Sequence, residues 1–246
     1  MKKSFSKNKE EENVVDAEVE ETAVATQEEA QVEQARKVLP TTSRGFSAVV
    51  TTEDIETPYL SLVGKTGDLS DEFEAGSFVY NKQLEVCSKK DSFNITLIGF
   101  ERIYVEDIPF GEEGTPAKFK DINEAFAQGF HTDWDRKDDG KYLIQQGNAI
   151  VLLEVDEELS EFSHDGKHYA LAAWTLKKTG WTNAGKKMFN ACRKGWLSKA
   201  VHLGTWEISS KYETGGEFKY YHPVAKKGEL HNEEFLQFLE DEVLPN

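Results

Sequence analysis

The sequence predicts a mainly β, β-rich α+β protein: an OB-like five-stranded barrel with one packed helix, an inserted loop region and disordered acidic termini. Three observations lead there. Short β-prone apolar segments recur between turn residues from Thr57 to Leu176 and again from Thr205 to Pro223. A single stretch, Thr182 to Ala200, has helical spacing. The resulting order is three or four strands, one helix, then two strands, and an OB barrel carries its helix between the third and fourth strands.

The elements follow in sequence. Thr57-Pro58-Tyr59-Leu60-Ser61-Leu62-Val63 is a short extended apolar segment. Ala75 to Tyr80 reads as a strand, and Leu84-Glu85-Val86 continues it after a turn at Asn81-Lys82. From Phe93 to Val105, Phe93, Ile95, Leu97 and Gly99 alternate with more polar positions before Ile103, Tyr104 and Val105, a strong strand signal. Residues from about 106 to 147 are polar and rich in Gly and Asp, an inserted surface region with a short helix around Asn123 to Gln128. Strands resume at Ala149 to Val155 and His168 to Leu176. After the helix, Thr205 to Tyr212 and Glu217 to Pro223 form a hairpin around Thr214-Gly215-Gly216. The domain organisation is therefore a disordered acidic tail (1–45), a folded domain (46–227) and an acidic C-terminal tail (228–246).

The chain has 246 residues, with 45 Asp and Glu against 29 Lys and Arg, a net charge of −16. The imbalance is uneven, since Glu10 to Glu33 and Gly228 to Asn246 contain acids and no Lys or Arg. Such asymmetry speaks about partners and solubility rather than fold. Residues 1–45 have almost no aromatics after Phe5, a composition that does not bury enough apolar area to offset its ordering entropy. Cys87 and Cys192 are too few for a disulfide framework and read as reduced thiols. No secretory signal or membrane-spanning run is read in the sequence, so the expected location is the cytoplasm.

The most informative stretch runs from Ala170 to Trp206. It holds Lys177, Lys178, Lys186, Lys187, Arg193, Lys194 and Lys199 without a single Asp or Glu, interleaved with Trp174, Trp181, Phe189, Trp196 and Trp206. A basic, aromatic island in an acidic chain suits a polyanion whose phosphates seek cations and whose bases seek flat side chains. At about 100° per residue, Trp181, Gly185, Phe189, Cys192 and Trp196 share one helix stripe. Lys186, Lys187, Asn190, Arg193 and Lys194 gather opposite. Trp181 and Trp196 therefore read as core, and the cations as a solvated or anion-contacting face. On the strands, Tyr104, Trp174, Tyr220 and Tyr221 are candidate stacking residues, with Lys177 and Lys178 ending the Trp174 strand.

Other chemistry finds little support. Gly64-Lys65-Thr66 lacks the preceding Gly of a phosphate loop, that position being Tyr59. His131, Asp133, Asp135, Asp138 and Asp139 fail as a calcium loop, because Lys137 and Gln146 stand where ligands are needed. His164 and His168 flank a turn. No nucleophile–base pair or paired-carboxylate signature emerges, so no catalytic residue, metal or cofactor is assigned. Asn232 to Val243 reads as an acidic amphipathic helix or a disordered peptide. Its Phe235, Leu236, Phe238 and Leu239 are candidates for docking partner proteins, in competition with the reading of a solubilising end.

Thr57 to Val63, Leu69-Ser70 and Ala75-Gly76-Ser77-Phe78-Val79-Tyr80-Asn81 resemble the opening of a family of bacteriophage single-stranded-DNA-binding proteins. Tyr169-Ala170-Leu171, the Lys-rich helix, Gly204-Thr205-Trp206-Glu207-Ile208-Ser209-Ser210 and Tyr220-Tyr221 follow the same pattern. The resemblance implies a non-enzymatic replication or recombination accessory protein with an OB-like core, in the host-cell cytoplasm. Single-stranded DNA is then the expected partner, with replication or recombination proteins meeting the acidic C-terminal tail, and homo-oligomers are compatible with it. The acidic end resembles that family in charge only, since it finishes Leu244-Pro245-Asn246 without a terminal aromatic. Two other classes stay open: an acidic phage structural or host-inhibitory protein that engages a basic partner, and a nuclease built on the carboxylates of 133–139.

Overall fold

The computed structural model describes residues 58–109, 114–197, 199–215 and 218–244. The expected N-terminal acidic tail lies outside the described residues. The described chain is mainly β, in two antiparallel sheets. The small sheet joins β1 (Leu60–Leu62), β2 (Phe78–Tyr80) and β3 (Leu84–Cys87), with a four-residue helix α1 (Leu69–Glu72) between β1 and β2. Asn81 and Lys82, at φ 46° and 59°, make the tight turn of the β2–β3 hairpin.

The large sheet is built on five long strands: β4 (Ser92–Glu106), β6 (Leu143–Glu154), β8 (Lys167–Lys177), β9 (Gly204–Gly215) and β10 (Phe218–Leu230). Two short strands join it, β5 (Lys118–Phe119) on β4 and β7 (Phe162–His164) on β8. Their order is β10-β9-β4-β6-β8-β7. The first three long strands form a meander, and the fourth returns to pair with the first, the spatial order of a Greek key. A bulge between Leu97 and Gly99 bends β4 where its neighbours change. β8 and β10 do not pair with each other, so the sheet is not a closed barrel. The outer edge of β8 is taken by β7 at one end and by a bridge from Tyr59 to Ala173 at the other.

Alternation along the strands decides what the sheet encloses. Ile95, Leu97, Val151, Leu153, Ala170, Ala172, Trp174, Leu176, Trp206 and Ile208 point to one side and make the main core with Phe78 from the small sheet. The helix α3 spans 178–194, as Lys178–Gly180, a π-turn Trp181–Gly185 and Lys186–Lys194. It connects β8 to β9 and adds Ala184, Met188 and Ala191 to that core. The sequence places this helix at 182–200, but it starts four residues earlier and stops at Gly195. The chain turns away there, where a Cβ would lie 2.6 Å from Ala191 Cα, so the turn suits glycine.

Residues 107–142 insert between β4 and β6. They contain β5, the short helix α2 (Ile122–Ala127), started by an Asp121 carboxylate that accepts from the Asn123 N–H, and a 3-10 turn, Trp134–Asp139. Phe119 and Ala125 pack with Tyr104 and Leu143 in a satellite cluster.

Of the two readings of the C-terminal segment, helix or disordered peptide, the structure shows the helix, and it packs on the fold instead of trailing as a disordered tail. β10 continues to Leu230, and α4 follows over 233–243, with a π-turn at Leu239–Val243. The Asn232 side chain accepts the Phe235 N–H at 2.9 Å, capping a first turn that carries Glu233 and Glu234. The physical reason lies in the sheet. Ile98, Leu152 and Leu171 are apolar on the face turned away from the main core, and Phe235, Leu236, Phe238, Leu239 and Val243 cover them with Phe162 and Tyr169. Among the described residues no helix is long and apolar enough to cross a membrane.

Candidate nucleic-acid interface

The helix α3 turns its cationic face outward as its spacing predicts: Lys186, Lys187, Asn190, Arg193 and Lys194 are exposed. Of the predicted apolar stripe, Trp181 and Gly185 are buried, Phe189 and Cys192 are half-buried, and Trp196 lies past the helix end, while Ala184, Met188 and Ala191 complete the buried side. Trp181 fixes the helix against β6. Its indole N–H donates to Gln145 Oε1 at 2.8 Å, and its ring lies so close over Gly185 that a Cβ there would be 2.7 Å from Cε3. A side chain at Gly185 would lift the helix from the sheet.

The electrostatics follow from what the cations lack. Lys177, Lys186, Lys187, Arg193, Lys194 and Lys199 are exposed and form no ion pair among the described residues. Lys178 is different. It meets Asp107 at 2.8 Å and ties the insertion to the start of α3. Four lysines elsewhere are paired among the described residues, Lys89–Glu74, Lys120–Glu101, Lys167–Glu154 and Lys226–Glu207. Exposed pairs of that kind contribute little to stability, but they neutralise charge locally. Among the described residues the exposed cations of α3 have no such neutralisation.

Beside the start of α3, residues of β1, β8 and β10 line a cleft of about 500 Å³ that contains Tyr59, Thr175, Lys177, Thr179 and Tyr221. Tyr221 packs against Tyr212, ring centroids 5.1 Å apart, and Lys65 reaches the Tyr212 hydroxyl at 2.9 Å. This aromatic pair with its lysine was only half legible in the sequence. Tyr221 stood out, whereas Tyr212, 44% exposed, stands directly across from it in the hairpin register. Pairing the two predicted hairpin strands around Thr214-Gly215-Gly216 is the signal that finds it. Tyr220 is half-buried with its ring 6.2 Å from His222.

Two expected stacking residues are corrected. Trp174 is 3% exposed and meets Phe78 edge-on, and Tyr104 is 6% exposed in the satellite cluster. Both point to the packed side of their strands and have no free ring face for a base. The candidate docking residues are likewise engaged within the chain. Phe238 and Leu239 are buried on the outer sheet face, and Phe235 and Leu236 are half-buried beside them. In place of these apolar residues, the helix exposes Glu233, Glu234, Glu240, Asp241 and Glu242.

Four further side chains bear on this face, and of these Arg102 has no signal in the sequence. The Arg102 guanidinium sits 5.0 Å from the ring centroids of both Tyr104 and Phe189, under α3. The indole N–H groups of Trp196 and Trp206 are buried and find no acceptor within the described protein. An unmet buried donor costs about 1–3 kcal/mol. Cys192 on α3 has its thiol pushed up to about 11 by burial, which leaves it protonated and poorly nucleophilic. Among the described residues no group of three or more His, Cys, Asp or Glu is placed to hold a metal ion.

The arrangement can bind an extended polyanion along α3 while offering tyrosines at the neighbouring hairpin. Compared with known proteins, the chain matches no family model, no curated protein and no solved structure.

Proposed function

We propose that this chain is a non-enzymatic bacteriophage protein that binds single-stranded DNA in replication or recombination. One observation carries the reading: six exposed cations on and beside α3 have no ion-pair partner among the described residues, in a chain of net charge −16. Phosphates track these cations, and bases stack on Tyr212 and Tyr221 at the hairpin. The sequence resemblance to phage single-stranded-DNA-binding proteins points the same way. So does the strand order. β4, β6, β8, β9 and β10, with α3 between the third and fourth, agree with an OB-like barrel that stays partly open between β8 and β10.

In this reading the exposed acids of α4 limit nonspecific contacts and offer replication or recombination proteins a charged surface. Binding to single strands weakens with salt at a slope of roughly 0.7 per phosphate contact. Removing Lys186, Lys187, Arg193 and Lys194 together should therefore weaken binding and flatten the slope by about 3. An unchanged affinity and slope would remove this face from the interface.

The net charge itself favours a second reading, an acidic phage structural or host-inhibitory protein that engages a basic protein partner. No retention of labelled oligonucleotide at low salt, together with capture of a defined basic protein, would select it.

A further inference from the structure

At the C-terminal end of α3, a cavity of about 460 Å³ opens between the helix and β10. We propose that this pocket takes a single nucleotide unit, with its phosphate on the lysines and its base against the tryptophan floor.

The walls state the chemistry. Trp196, Trp206, Ala191 and Ala225 supply an apolar floor, and Lys187, Asn190, Lys194 and Lys227 supply the polar groups. No acid lines it. Lys187 and Lys194 have no ion pair among the described residues, and neither does Lys227, whose ammonium stands 5.6 Å from the Trp196 ring centroid. A cavity of this size falls within the ~300–1,000 Å³ typical of small-molecule sites. Three lysines select an anion, and a bare anion would leave the indole floor unused. A planar ring joined to a phosphate uses both.

The two indoles give an independent indication. Trp196 and Trp206 lie 5.8 Å apart, and both carry a buried N–H with no acceptor among the described residues. Trp206 is itself 2% exposed. Buried donors are nearly always satisfied in folded proteins, so this unmet pair sets the cavity's wall apart, although both nitrogens are closed to solvent and do not meet a ligand directly. The position is also rigid. Trp196 packs so tightly on Gly204 that a Cβ there would lie 2.3 Å from the ring, which fixes the floor before any ligand arrives.

The same chemistry has two sources, a free mononucleotide or one unit of a bound strand. For the strand, the inference rests on the DNA reading of the α3 face; for the free mononucleotide it stands apart from it. The test follows intrinsic tryptophan fluorescence of the full chain during titration with thymidine 5′-monophosphate, thymidine, inorganic phosphate and a long oligo-dT. The monophosphate should quench saturably, with thymidine and phosphate each binding about tenfold more weakly. Lys227→Glu, on an exposed position of β10, should weaken the monophosphate about tenfold, and Trp196→Phe should remove most of the quenching. If oligo-dT binds with its salt dependence while the monophosphate gives no saturable signal, or is indifferent to Lys227→Glu, the pocket is overturned and the DNA reading stands. If the monophosphate binds and oligo-dT does not, the pocket holds for free nucleotides and the DNA reading falls. Silence from both ligands overturns both.

Discussion

Phe238 lies over His164 with ring centroids 4.7 Å apart and planes 21° from parallel, so the last helix is stacked onto the β7–β8 hairpin. Phe235 adds edge contacts to His164 and Tyr169. These rings hold an acidic helix on the apolar outer face of the large sheet. Phe238→Ala should therefore destabilise the protein by about 3 kcal/mol, the range of buried Phe truncations. Chemical denaturation of the two proteins measures it. A loss below about 0.5 kcal/mol would mean that α4 rests on the sheet without stabilising it.

Gly76 is the counterpart on the other side of the molecule. Its φ is +98°, and a Cβ there would stand 2.6 Å from Tyr221 Cε1 and 2.9 Å from Lys89 Cβ. Gly76→Ala meets a backbone penalty and a steric one, and should cost about 2 kcal/mol or more. Tyr221→Ala in the same chain relieves the clash with the ring but neither the contact with Lys89 Cβ nor the backbone penalty. The double variant should be more stable than the sum of the single effects predicts, and additive costs would show that the ring moves aside freely.

Legibility in the sequence followed the range of the interaction that decides each element. Asn81-Lys82 and the alternation from Phe93 to Val105 are local signals, and both elements formed where they were read. The two faces of α3 are set by spacing alone, and they too were legible. The start of β6 was not, because Gln145 and Gln146 look like loop residues until Trp181 arrives to bond the first of them. Trp174 and Tyr104 were read as strand residues correctly, yet which face each presents depends on pairing register. Likewise, nothing local in Phe235-Leu236-Gln237-Phe238-Leu239 tells an external docking peptide from one that docks on its own sheet. The uncovered Ile98, Leu152 and Leu171 decide that, from far away in sequence.

His231 links that helix to pH. Its ring stacks near Phe235, its Nε2 is 2.9 Å from Thr96 Oγ1, and burial, helped by His202, pushes its pKa down to about 4. In the unfolded chain the value is about 6.5. The unfolded state thus binds the extra proton between those values, so the contribution is fully present above about 6.5 and is lost as pH falls through about 4. Denaturation across that window should show the wild-type protein losing stability faster than His231→Gln on acidification. Parallel curves would mean that the imidazole stays accessible to protons in the fold.

The two cysteines give a check of burial that needs no mutation. Cys87 is pushed up to about 11 by burial, with Asp91 and Glu85 adding to it, and Cys192 is pushed up to about 11 by burial alone. At pH 8 the reactive thiolate is depleted by roughly a hundredfold relative to an exposed thiol. Alkylation of the native protein should be correspondingly slow at both sites and should accelerate on denaturation. Rapid labelling of Cys192 alone would show that α3 lifts from the sheet.

The separation of packed from exposed aromatics makes the sharpest test of where bases sit. Trp174 fills the core against Phe78, whereas Tyr212 is open at the hairpin with Lys65 beside it. Trp174→Phe removes buried indole volume and should lower stability by about 1–3 kcal/mol while leaving affinity for oligo-dT within about twofold. Tyr212→Ala should do the reverse. Its loss costs little packing, but one base–aromatic stack is worth about 1–3 kcal/mol, so affinity should fall roughly tenfold or more. Paired measurements of melting and of oligo-dT binding on the two variants distinguish the roles. If Tyr212→Ala binds as the wild type does while removal of the α3 cations abolishes binding, the protein holds the phosphate backbone alone and leaves the bases unstacked at the hairpin.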